Sequence, residues 1–101
     1  MKIDGSVYRE KTVYLSEENI CLRYYLYTSL SHDGTGRRLY HMEITLTSIL
    51  EKECCSLQDI ATSLGMAERI WDLFTRELVT PVTAQDILEQ LLSQTSFLYE
   101  E

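Results

Sequence analysis

Three cysteines (Cys21, Cys54, Cys55) and two histidines (His32, His41) are the side chains of this 101-residue chain best able to do chemistry. A structural metal would need ligands presented in pairs from one local turn, as in Cys-x2-Cys or His-x3-His spacing. No such pair occurs, so no metal or cofactor is expected. Covalent catalysis would need a thiol within reach of an imidazole and a carboxylate. Cys54 or Cys55 with His41 and Glu43 is the combination that a strand and its following loop could bring close. The plainer reading is favoured: Cys55 as a small buried hydrophobe, and His41 as a solvated residue on the polar face of a strand. Glu17 with Glu18, and Glu51 with Glu53, read as loop acids. The glycines of "DGTG" lie between strands, with no helix start behind them to hold a phosphate. The sequence nominates no catalytic residue, and the expectation is a protein that is not an enzyme.

A disulfide between the neighbours Cys54 and Cys55 would strain both peptide and bridge. An odd, sparse set of thiols suits a reducing compartment, with both expected to be free. The opening "MKIDGSVYREKT" lacks the apolar run of a secretory signal. A cytoplasmic location is the expectation. The net charge of −7 is carried by the second half, where Lys52, Arg69 and Arg76 face ten acidic residues. Such a surface repels phosphate, which disfavours nucleic-acid and anionic-membrane partners and is compatible with a basic protein.

The elements that would position these residues divide the chain in two. The first half alternates: Ile20, Leu22, Tyr24, Leu26 and Leu30 share one face of a strand, with Cys21, Arg23, Tyr25 and Tyr27 on the other. Tyr40, Met42, Ile44 and Leu46 repeat the pattern, across a turn-rich "SHDGTG". Strands are predicted at about 7–15, 20–30 and 37–50, with a short one at 55–61 as an option. The outer face of the hairpin, with Tyr25, Tyr27 and Arg23, reads as mildly basic and is the surface to test for nucleic acid. The second half turns helical. Ala84, Ile87, Leu88, Leu91 and Leu92 form an amphipathic stripe behind a Thr83 cap, and Ala67, Ile70, Trp71, Phe74 and Leu78 form another. Helices are predicted at about 66–78 and 83–94, joined by a turn at Pro81, with an acidic tail over 95–101. The whole reads as a single α+β domain, residues 1–101: an antiparallel meander of three to four strands with a C-terminal helical hairpin on one face.

The stretch "DIATSLGM" (Asp59 to Met66) invites a second reading of residues 56–78, as a DNA-binding helix-turn-helix. In it Ser56 and Asp59 would cap a first helix, Gly65 would make the turn, and Ala67 onward would enter the groove. The groove-facing positions would then include Glu68 and Asp72, which repel phosphate, and Ile70 and Leu73, which belong in a core. A small DNA-binding transcriptional regulator is therefore the alternative. The leading reading is a small cytoplasmic accessory or regulatory protein acting through protein contacts.

Tyr24-Tyr25, Leu39-Tyr40, Asp59-Ile60 and Thr80-Pro81-Val82-Thr83 through Leu92 occur in an order that resembles a family of short bacterial proteins known only as a domain of unknown function. The resemblance implies a sheet followed by a closing helix, with Leu57 to Ala61 at the sheet edge, and brings no activity with it. A partner site is expected on the first helix. Its apolar residues span an arc of about 160°, wider than one sheet contact needs. Met66 and Leu73, with Glu77 among them, are predicted to stay exposed and to dock an unknown protein partner or a second copy as a homodimer.

Overall fold

Side chains on a strand alternate between faces, and that alternation builds the first half of the protein. The computed structural model describes residues 6–15, 19–31, 34–61 and 63–93. Four strands run in sequence, β1 (Ser6–Leu15), β2 (Ile20–Leu30), β3 (Arg38–Thr47) and β4 (Lys52–Ala61). They form one antiparallel sheet in the order β1-β2-β3-β4. In register, Lys11, Tyr24, Ile44 and Cys55 form one row, and Glu10, Tyr25, Glu43 and Ser56 form the next on the opposite face. Leu22, Tyr24, Leu26, Met42 and Ile44 are buried on the inner face.

Two helices close that inner face. α1 (Leu64–Arg76) buries Ala67, Ile70, Trp71, Phe74 and Thr75, and α2 (Pro81–Leu92) buries Pro81, Ala84 and Leu88. These residues join the inner-face residues in one hydrophobic cluster. The fold is the α+β architecture expected, with four strands, the upper of the three to four anticipated. Tyr24 pins the layers together. Its ring meets Trp71 edge-on at 6.5 Å, and its hydroxyl donates to the Val79 carbonyl at 2.9 Å. A fully buried phenol needs such a partner. Burial pushes its pKa up to about 12.

Several boundaries differ from the sequence reading, each for a local reason. β3 stops at Thr47 rather than 50, because the Ser48 N–H donates to the Glu51 carbonyl and closes a tight turn. Ile49 and Leu50 look like strand by hydropathy yet form the tip of that turn. β4 consequently starts at Lys52 rather than 55. α1 begins at Leu64 rather than 66, since the Ser63 hydroxyl caps the Met66 N–H and Gly65 lies inside the first turn. It ends at Arg76, where Leu78 adopts φ 52 and the Val79 N–H returns to the Phe74 carbonyl. This is a Schellman-type stop with leucine where glycine is usual, and it turns Leu78 out of the expected buried stripe. α2 starts at Pro81 behind Thr80, not behind Thr83, because proline at the first helical position loses no hydrogen bond. The end predicted for the last helix at 94 and the acidic tail at 95–101 lie outside the described residues. No helix among those described is long and apolar enough to cross a membrane.

The helix-turn-helix is not formed. Residues 56–61 belong to β4, so the segment 56–78 is strand, turn and helix and lacks the first helix of that motif.

Candidate functional site

The helices leave the outer face of the sheet uncovered, and most of the reactive side chains named from sequence lie there. Glu43 is their hub. Its Oε1 accepts from the Tyr27 hydroxyl at 3.2 Å and its Oε2 from the Cys54 thiol at 3.3 Å. Tyr25 tilts against Tyr27 with centroids 6.1 Å apart. The Cys54 pKa is raised, first by partial burial and then by its bond to the Glu43 carboxylate. Burial and the same carboxylate raise that of Tyr27. A nucleophilic cysteine needs the reverse, a thiol eased toward thiolate by a nearby base or cation. By register this face carries Arg23 and Lys52 against Glu10 and Glu43. It is balanced in charge, not mildly basic.

His41 corrects the expectation of a solvated side chain: only 7% of it is exposed. Tyr40 pairs with Ala61 and Met42 with Leu57, so His41 alone faces Gln58, Asp59 and Ile60 across a bulge in β4. Its Nδ1 accepts the Asp59 backbone N–H at 2.8 Å, and its Nε2 lies 2.9 Å from the Ser29 hydroxyl. An accepting Nδ1 carries no proton, so the ring is neutral, with Nε2–H donating to Ser29. Burial lowers its pKa, and the Asp59 carboxylate partly opposes this. One nitrogen holds the bulge and the other ties the ring to Ser29 on β2. Asp59 sits at φ 59, a left-handed conformation that aspartate tolerates better than most residues. The bulge also breaks the alternation, letting Ile60 and Ala61 both reach the core. Cys55, on the inner face, packs against the core as expected, and its thiol pKa is raised by burial. Cys21, Cys54 and Cys55 are free thiols.

The residues predicted for partner docking on α1 are less open than expected. Met66 and Leu73 are half-buried, because both pack against the hydrophobic cluster that the sheet and the two helices share. Glu77 is exposed at the helix C-cap, where it pairs with Arg76 at 3.3 Å.

A different apolar surface stands at the end of the sheet that holds the β1–β2 and β3–β4 connections. Leu50 is 94% exposed, Ile49 79% and Tyr14 72%, the highest values among the large hydrophobic side chains described. Beside them is an apolar cleft of about 450 Å³, lined by Tyr14, Leu15, Ile20, Cys21, Thr47 and Ile49 among others. Sequence reasoning missed this end because it placed residues 48–50 inside a strand. The available signal was an aliphatic pair between Ser48 and Glu51, where a tight hairpin is more often made by Asn-Gly or Asp-Gly.

Fold and surface together define a small α+β domain: a four-stranded meander closed on one face by a helical hairpin and bare on the other. The chain belongs to a family of unknown function, DUF6514, whose model matches residues 6–94. No curated protein and no solved structure matches it.

Proposed function

We propose that the protein is a non-enzymatic accessory or regulatory protein of the cytoplasm that works through protein contacts at the apolar end of its sheet. The observation that carries this reading is the gathering of Leu50, Ile49 and Tyr14 around an apolar cleft. Contiguous apolar surface of this kind usually marks an interaction site. Two features of the outer face support a role without covalent chemistry. The Cys54 thiol is held protonated against Glu43, and His41 uses both nitrogens within the fold. Free thiols support a reducing compartment.

Affinity capture with the parent, Leu50→Ser and Leu73→Lys tests the reading. Proteins retained by the parent and by Leu73→Lys but lost with Leu50→Ser place function at this end. A set lost only with Leu73→Lys moves it to Met66, Leu73 and Glu77 on α1. Identical sets from all three forms remove the sheet end as a contact site.

A further inference from the structure

His41 ties two strands together by bonds that respond differently to a proton. In the neutral ring Nε2–H faces the Ser29 hydroxyl on β2, while the bare Nδ1 accepts the Asp59 N–H on β4. Protonation leaves the first bond intact, because Nε2 donates in both forms. It turns Nδ1 into a second donor and sets two N–H groups against each other across 2.8 Å. The ring stays tied to β2, so the disruption falls on β4.

That strand has little to resist it. Gln58, Asp59 and Ile60 bulge opposite His41, between the paired rows of Met42 with Leu57 and Tyr40 with Ala61. Asp59 is held at φ 59, a left-handed conformation that persists only while its surroundings enforce it. Its carboxylate lies close enough to attract the charged ring. To accept Nδ1–H, it must take the place that its own backbone N–H holds.

We infer that His41 and Asp59 form a proton-operated latch: the protonated ring releases the β4 bulge, and with it Ile60, Ala61 and the start of α1, while the rest of the sheet stays folded. Ile60 and Ala61 are both buried, and Ser63, two residues beyond, caps α1 through the Met66 N–H. Other ionisable groups near the ring have partners of their own. Tyr27, opposite on β2, donates to Glu43, two residues along β3. Arg38, at the start of β3, donates to the Thr28 hydroxyl. The helices lie on the other face of the sheet. Burial favours the neutral ring, so the latch is closed at neutral pH and opens on acidification below the ordinary imidazole value of 6.5.

Two-dimensional amide NMR of the full chain from about pH 8 to about pH 4.5, a range that spans ordinary imidazole titration, tests this. The Asp59, Ile60 and Ala61 amides should shift or broaden with the midpoint of the His41 ring, and the Met66 amide should follow. Those of Tyr24, Ile44 and Cys55 should hold their positions. Asp59→Asn removes the carboxylate that favours the charged ring, so the shared midpoint should fall to lower pH. In His41→Gln no amide of the bulge should move with the parent's midpoint. A ring that titrates while the bulge amides stay still overturns the inference, as does a ring that stays neutral throughout. Loss of every amide at one pH, movement that survives His41→Gln, or a midpoint unchanged by Asp59→Asn overturns it equally.

Discussion

Two doublets, Tyr24-Tyr25 and Cys54-Cys55, set chemically identical neighbours on opposite faces of the sheet. Tyr24 is fully buried, stands against Trp71 and donates to Val79. Tyr25 is half-buried and tilts against Tyr27 on the bare face. Cys55 packs against the core, whereas Cys54 turns outward to Glu43. Side-chain type is the same within each pair, so place in the alternation decides the environment. The inner face joins sheet to helices, while the outer face holds a thin network of polar side chains over backbone that is already paired.

The contrast predicts how unequally the faces tolerate change. Leu88→Asp puts an unpaired charge into the inner layer and should abolish the cooperative melt. A melt near the parent's would mean that α2 is not part of the closing layer. Phe74→Ala, at a position with no exposure, should cost about 3–5 kcal/mol in urea unfolding. Tyr24→Phe leaves the Val79 carbonyl without its donor and should cost about 1–3 kcal/mol. Tyr25→Phe should cost less than Tyr24→Phe, and equal losses would erase the distinction between the faces.

The smallest effect depends on pH. In the folded protein His41 must be neutral to accept the Asp59 N–H, and its pKa lies below the ordinary value. Between that lowered pKa and about 6.5, the unfolded chain binds the proton that the folded chain refuses. Stability in that window therefore rises with pH. The contribution is complete above about 6.5 and is lost as pH falls through the window. Urea midpoints at pH 5 and pH 8 should differ more for the parent than for His41→Gln, which cannot titrate. Equal differences would show that the bulge does not sense the proton.

Legibility in the sequence followed the same alternation. The row of Tyr24 and Ile44 could be read because strand parity needs only neighbours, and the stripe of Ala84 and Leu88 because a helix repeats within a few residues. The bulge at Gln58, Asp59 and Ile60 could not, since no glycine marks it and its support comes from His41, eighteen positions away. The burial of His41 was hidden for the same reason. Ile49 and Leu50 misled because hydropathy carries no sign that the chain reverses there. The half-burial of Met66 and Leu73 depends on the neighbours that the other elements bring to α1, which angular counting along one helix does not contain.

The strict neighbour-to-neighbour strand order has a consequence for biosynthesis. During synthesis from the N-terminus, β1, β2 and β3 can pair as soon as each clears the ribosome, before either helix exists. Their inner side chains then have no cover until α1 is made, and the layer is not complete until Leu88 has followed. At ~5–20 residues per second, the stretch from Ile44 to Leu88 takes about 2–9 s. Over those seconds the nascent sheet holds Leu22, Leu26, Met42 and Ile44 at first bare and then only partly covered, which is when its apolar face is most open to aggregation.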